Sequence, residues 1–347
     1  MSDIRFEQIG RAGVVTLARP ETLNAVTGAM VSALSEQLDI WEANPSVERV
    51  IIKAVPGRAF SAGGDIRSLY EHGRAGTPDF DFFAREYVLN ARIARFPKPY
   101  IALVDGIVMG GGVGVSFHGS HVVAGDNIGF AMPEVGIGFF PDVGGSYLLS
   151  RLPGLVGLYL GLTGTRIGQA DCLWSGLATH AAPSEKLGDI RNALCHEADI
   201  DAALKLATGA DQTGSLARQA DLINEAFAAE TVSGILENLA AMAEQAGEAG
   251  DWAQKTLETL QQKSPTSLAV AYQQIKRGRE LSMEECMRME YRIVHRVLVG
   301  HDFYEGIRAA IIDKDRKPAW EPKTLAALDQ DSINGHFETL GDRELVL

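Results

Sequence analysis

Apolar residues follow two different periods along the first two hundred positions. Gly13 to Leu17 (GVVTL) is a short β-branched run and predicts a strand. From Ala29 to Trp41 the apolar positions Met30, Ala33, Leu34, Leu38 and Trp41 fall on one helix face. Val50 to Val55 (VIIKAV) predicts a second, buried strand, stopped by Pro56-Gly57. Phe82 to Phe96 predicts a helix, closed by Pro97 and Pro99, and Tyr100 to Val104 a third strand. Strands separated by helices and glycine turns predict an α/β architecture with both sheet faces covered.

Beyond about residue 196 the texture shifts to Ala, Leu, Glu and Gln, with helix-compatible windows such as Leu216 to Ala246. The chain is therefore divided into residues 1–195, holding the candidate chemistry, and a helical region, 196–347. Tyr291, Val294, His295 and Leu298 form a helical stripe that predicts core packing. Ala210 to Gly214 (ADQTG) reads as a loop, and the polar tail after Asp329 is expected to be poorly ordered.

Composition narrows the function. The 347 residues are 46% hydrophobic and 22% charged, the balance of a folded chain. Acidic residues number 45 against 32 basic, a net charge of -13. That balance excludes broad electrostatic binding to nucleic acid or to an anionic membrane, and leaves room for a local basic pocket. Cys172, Cys195 and Cys286 lie too far apart for a disulfide framework or a sequence-evident zinc site. The first ten residues, MSDIRFEQIG, lack a signal-peptide core, and no stretch reads as a spanning helix, so a cytoplasmic protein is expected.

Two glycine turns stand out. Phe60-Ser61-Ala62-Gly63-Gly64-Asp65-Ile66 follows a strand and precedes a helical stretch, and Met109-Gly110-Gly111-Gly112-Val113-Gly114 repeats that arrangement. Small residues let a ligand approach the backbone and leave N–H groups free to point at it. Two such turns could aim one N–H each at a single acyl oxygen, forming an oxyanion hole. The competing reading is that these glycines only permit tight turns or close helix packing. Neither turn has a G-x-G-x-x-G string, and no phosphate-binding G-x-x-x-x-G-K-[ST] or serine-hydrolase G-x-S-x-G motif occurs.

Residues 131–145 (AMPEVGIGFFPDVGG) place two acids, Glu134 and Asp142, in an otherwise apolar and glycine-rich frame. Such a frame makes the charged form costly and raises a carboxyl pKa toward the working pH, as a general acid or base needs. For Asp142 the alternative is an N-cap of a helix over residues 143–152. For Glu134 it is a surface turn or an ion pair.

These turns and this loop, in this order, resemble the crotonase (enoyl-CoA hydratase/isomerase) superfamily, as does Arg19-Pro20-Glu21-Thr22-Leu23-Asn24-Ala25. Within it the chain is most similar to the 3-hydroxyisobutyryl-CoA hydrolases, through Phe-Pro-Asp-Val-Gly-Gly at 140–145, Leu162-Thr163-Gly164, Ala178-Thr179-His180, residues 300–306 (GHDFYEG) and Asp313-Lys314-Asp315. The resemblance implies a ββα spiral core with a mainly helical C-terminal region, and hydrolysis of a short β-hydroxyacyl-CoA thioester in valine degradation. It implies that Gly64 and Gly111 form the oxyanion hole, that Glu134 and Asp142 are catalytic, that Glu86 contacts substrate, and that Ala62 and Ile66 line the adenine and pantetheine pocket. Trimers are common in the superfamily, so a homo-oligomer is a candidate assembly. Hydratases of the superfamily carry a second glutamate where this chain has Gly114, which argues against hydration. An isomerase using Glu134 alone, or a non-catalytic acyl-CoA binder, are the alternatives.

Coenzyme A is anionic, and Arg19, Lys53, Arg58, Arg67 and Lys98 lie near the glycine turns as candidate phosphate partners. No cofactor or metal is expected. His118-x-x-His121 is the only close histidine pair, and it lacks a third ligand.

Overall fold

A computed structural model describes residues 2–208 and 214–347. It contains two compact units, each assembled from separated stretches of chain. The first takes Met1–Asp65, Arg85–Ala131 and Arg166–Ala217, and the second Ile66–Ala84, Met132–Thr165 and Arg218–Leu347.

The first unit holds every described strand. In chain order these are β1 Ile4–Ile9, β2 Ala12–Leu17, β3 Arg49–Ala54, β4 Ala59–Ser61, β5 Tyr100–Val104, β6 Ile107–Met109, β7 His121–Ala124, β8 Gly129–Ala131 and β9 His180–Ala181. Six form one sheet, ordered β1-β2-β3-β5-β7-β9, and three form a second, β4-β6-β8. Apart from the antiparallel β1–β2 hairpin, all neighbours are parallel. Three successive passes (β3 then β4, β5 then β6, β7 then β8) each give a strand to the large sheet and then one to the small sheet. This is the ββα spiral core that the resemblance implied.

The three strands read from the sequence are β2, β3 and β5. Their continuous apolar runs reflect burial on both faces, as parallel strands require. Val14 pairs with Ile51, Ile51 with Ile101, and Leu103 with Val123, all inside one core. The Leu187–His196 helix closes that core with Ile190, Leu194 and Cys195. The 29–41 stripe is the inner face of the Gly28–Ala43 helix, capped by Thr27. The helix read at 82–96 runs Phe80–Ala94, started by Asp79, which accepts from the Phe82 N–H at 2.9 Å.

No strand follows β9 among the described residues, so the C-terminal region is helical. The 216–246 window is two helices, Ser215–Phe227 and Val232–Ala243. The Pro265–Gly278 helix starts at Ser264 with proline in its first turn, and Met283–Val297 starts with a Ser282/Glu285 capping box. Tyr291, Val294 and Leu298 are buried as their spacing predicts, and the His295 ring stacks on Phe80 at 4.2 Å. Of the loop read at 210–214, only Gly214 lies within the described residues. The tail corrects its expectation: Ile333, Phe337, Leu340 and Leu345 are buried, and Arg292 pairs with Glu344 at 2.5 Å. Ile333, Phe337 and Leu340 are an i, i+4, i+7 series, and that apolar face outweighs the polar average of the segment.

Candidate active site

In the first unit, the turn after β4 is pinned by the early Arg19–Ala25 segment. Asn24, buried and at φ 54, donates from Nδ2 to the Ala59 carbonyl at 3.0 Å, and its Oδ1 accepts from the Arg19 N–H. The Ala62 N–H donates to Leu23 O, the Val26 N–H to Gly63 O, and the Asp65 N–H to Val26 O. Amides on either side of Gly64 are thus committed, while its own N–H meets no acceptor among the described residues.

The second turn reverses at Gly110, whose φ of 44 with ψ of -126 is open only to glycine, and enters the short Gly111–Gly114 helix. The Val113 and Gly114 N–H groups return to Gly110 O, and the Gly111 N–H meets no acceptor among the described residues. A Cβ at Gly111 would lie 3.4 Å from the Gly64 nitrogen and 2.7 Å from Glu86 Oε1. Two unspent N–H donors and a carboxylate therefore share one small region. The packing reading of the glycines holds at the neighbouring position, because a Cβ on Gly112 would strike the Ser61 carbonyl at 2.6 Å. Glu86 is 2% exposed on the Phe80–Ala94 helix, so it is no surface charge. Asn90, one turn further, is fully buried, and neither amide atom is hydrogen-bonded among the described residues.

In the second unit, Glu134 opens a 3-10 turn, Glu134–Ile137, closed by Gly138 at φ 71. Its side chain is buried at 8% exposure, and Oε2 has no hydrogen-bond partner among the described residues. Around it the apolar frame is real: Val135, Phe139 and Phe140 are buried, and the Phe139 ring packs on Phe83 and Phe303. Burial pushes the Glu134 carboxyl well above its ordinary range, and the charges of Asp142 and then Glu290 push it further. Neither alternative for Glu134, a surface turn or an ion pair, survives this setting.

Asp142 is buried at 5% exposure. It is not the helix cap. The helix that follows is Gly145–Leu149, its cap position is Gly144, and the Gly144 and Ser146 N–H groups donate to Glu290 at 2.8 and 2.9 Å. Sequence reasoning missed Glu290, although a signal was present. Met283, Cys286, Met287, Glu290, Tyr291 and Val294 form one helical stripe, and the acid occupies an apolar position in it. Gln274, also fully buried and also missed, donates to the Pro141 carbonyl at 2.5 Å.

Ala62 is half-buried beside Gly64 in sequence, and half-buried Ile66 begins the Ile66–Arg74 helix. The list of basic candidates shortens. Arg19 pairs with Asp3 and Asp65 and donates to Ala25 O, and Lys98 is spent on the Trp41 and Asn44 carbonyls. Arg58 and Arg67 are exposed. Lys53 is half-buried, with its pKa lowered by burial and then by Arg191. Among the described residues no group of three or more His, Cys, Asp or Glu could hold a metal ion.

A family model described as enoyl-CoA hydratase/isomerase matches residues 12–337. Curated relatives include the mitochondrial 3-hydroxyisobutyryl-CoA hydrolases of Xenopus tropicalis, 44% identical over 97% of this chain and 89% of the relative, and of Homo sapiens, 40% identical over 99% and 90%. Among solved structures, one described as a carnitinyl-CoA dehydratase from Mycobacterium thermoresistibile matches with a TM-score of 0.93 and 38% identity, covering 100% of this chain and 99% of its own. Another, described as an enoyl-CoA hydratase from Rhodobacter sphaeroides, matches at 0.91 and 39%, covering 100% of both.

Proposed function

The chain belongs to the enoyl-CoA hydratase/isomerase family, and from that premise we propose that it hydrolyses 3-hydroxyisobutyryl-CoA to 3-hydroxyisobutyrate and CoA, a step of valine degradation. The observation that carries the reading is a buried carboxyl of raised pKa, with one oxygen unpartnered, in a chain that also holds two unspent backbone donors.

Hydrolysis requires the donors and the acid to act on one thioester. The Gly64 and Gly111 N–H groups hold the carbonyl oxygen and stabilise the charge that forms as the carbon becomes tetrahedral. Glu134, as carboxylate, either attacks that carbon to give a mixed anhydride or takes a proton from the attacking water. Collapse of the tetrahedral species breaks the C–S bond and expels CoA thiolate, which takes up a proton. Asp142 handles that proton, orients water or binds the substrate hydroxyl, and Glu86 contacts the acyl group. The raised pKa makes Glu134 a stronger base than an exposed carboxylate. Ala62 and Ile66 line the adenine and pantetheine pocket in this reading. No cofactor beyond the coenzyme A of the substrate takes part, and a homo-oligomer is the assembly proposed.

The solved structures described as a dehydratase and a hydratase raise a second reading. Gly114 stands against it, since it leaves hydration without a second glutamate at that position. An isomerase would use Glu134 alone, and a non-catalytic member would use neither acid. Release of free thiol from 3-hydroxyisobutyryl, 3-hydroxypropionyl, acetyl and crotonyl thioesters separates these. A hydrolase releases CoA, fastest from the first; thiol release from none of them refutes the proposal. No described helix is long and apolar enough to cross a membrane. The relatives are named as mitochondrial, so the cytoplasmic expectation gains no support from them.

A further inference from the structure

Glu290 is borne on the Met283–Val297 helix, yet its carboxylate ends at the turn that carries Asp142. It is fully buried and accepts three hydrogen bonds, from the Gly144 N–H at 2.8 Å, the Ser146 N–H at 2.9 Å and the Ser146 hydroxyl. From the Pro265–Gly278 helix, fully buried Gln274 holds the Pro141 carbonyl. Asp142 therefore lies on a stretch fixed at the residue before it and at the second residue after it. Between these anchors Val143 has φ 51, and the anchored Gly144 has φ 88. A β-branched residue in the left-handed region persists only where its surroundings over-determine it. The Gly145–Leu149 helix has no side-chain cap of its own, and Glu290 supplies one from 146 positions away.

We infer that Glu290 is a positioning residue for the proposed hydrolysis: it clamps the 141–146 turn so that the Asp142 and Glu134 carboxyls are held together in the second unit. This rests on the hydrolase reading. The clamp is also an electrostatic neighbour, since the Glu290 charge helps to raise the Glu134 pKa. Burial, and to a smaller extent the charge of Asp142, push Glu290 itself up to about 8, against its hydrogen bonds to Ser146 and Gly144. Its titratable neighbours are Asp142, Glu134 and, on its own helix, the Cys286 thiol, which burial and then Glu290 push up to about 12 and Arg151 draws back. A cap that served stability alone would lower the melting temperature and leave the chemistry of the folded enzyme unchanged.

The test compares the wild type with Glu290→Gln and Ser146→Ala, measuring kcat and KM for 3-hydroxyisobutyryl-CoA from about pH 5 to about pH 9. The amide of Glu290→Gln keeps the volume but replaces one acceptor by a donor. It should lower kcat by about tenfold to a hundredfold with KM little changed. Glu290 carries its charge only as the pH approaches about 8, so the two profiles should diverge at the upper end of the range, where the variant lacks a negative neighbour and Glu134 ionises more readily. Ser146→Ala removes one donor only and should lower kcat by about twofold to fivefold, with KM again held. A folded Glu290→Gln enzyme with wild-type kcat and pH profile overturns the inference, even if it melts earlier. Should that variant fail to fold, an unaltered kcat in Ser146→Ala overturns it instead. A wild type that releases no CoA from this thioester removes the hydrolase reading and the inference with it, whereas active wild type with unaltered variants removes the inference alone.

Discussion

The Gly111 Cα sits directly against the Glu86 carboxylate, so that a Cβ built on Gly111 would lie 2.7 Å from Oε1. The same Cβ would be 3.4 Å from the Gly64 nitrogen, in the space the two N–H groups share. Gly111 has no positive φ, so alanine is tolerated by its backbone. Gly111→Ala should therefore fold, displace the Glu86 side chain and block access to the donors. The expected loss in kcat is about a hundredfold to a thousandfold, the cost of removing one oxyanion donor. Near-normal turnover in a folded Gly111→Ala enzyme would rule out this pair as the oxyanion hole.

Glu134 makes opposite demands on stability and activity. Its folded pKa lies above that of the unfolded chain, at about 4.3. The folded state thus holds the proton more tightly. The associated stability is fully present below the unfolded pKa and is lost as pH rises through the folded value. Glu134→Gln stays neutral throughout. It should match the wild type near about pH 4 and melt higher by about 1–2 °C near about pH 8, for each kcal/mol relieved. It should also lose most turnover while keeping CoA affinity. A melting difference that does not grow with pH would show that Glu134 is ionised without penalty, and its role as a raised-pKa base would fall.

The contrast between β3 and the Asp142 turn shows what the sequence could carry. A continuous apolar run ending at Pro-Gly has one outcome in an α/β chain, and β3 ends within one residue of where its pattern does. The two glycine turns were legible because close approach to a backbone leaves glycine as a local mark. Asp142 was harder. An acid ahead of a helix reads as a cap, and only Glu290, far along the chain, shows that the cap comes from elsewhere. Contacts at that separation have no local signature beyond one acid on an apolar stripe. The units are the same case: each gathers three separated stretches, whereas a change of texture marks a single boundary near residue 195.

Gly306 in the Asp302–Ile307 helix tests how the Glu134 turn is supported. A Cβ on Gly306 would lie 2.3 Å from the Ile137 carbonyl carbon and 2.4 Å from its oxygen. Both are backbone atoms and cannot swing aside. Gly306→Ala should cost about 1–3 kcal/mol through overpacking, read as a lower midpoint in denaturant. It should also lower kcat in the fraction that folds, since Ile137 is the last residue of the turn that Glu134 opens. A stable variant with full activity would mean that this helix does not hold the turn.

The fate of oxygen separates the two routes open to Glu134. A single turnover in heavy-oxygen water, with enzyme in excess, allows water to enter only once. If Glu134 attacks, its carboxylate oxygen joins the acyl carbon, and water then cleaves the anhydride. Attack of water at the Glu134 carbonyl leaves label in that side chain and none in the acid product; attack at the acyl carbon gives the reverse. If Glu134 only takes a proton from water, label appears in the product alone. Label in Glu134, located by mass spectrometry of its peptide, therefore proves the anhydride. Label confined to product removes any anhydride opened at Glu134, and an anhydride opened at the acyl carbon is then tested by trapping with hydroxylamine. The buried setting favours attack, because a carboxylate with one unpartnered oxygen and little water around it has less solvation to lose on bonding to carbon. The expected result is label or, with hydroxylamine, a hydroxamate on the Glu134 side chain, and the absence of both would leave water activation as the mechanism.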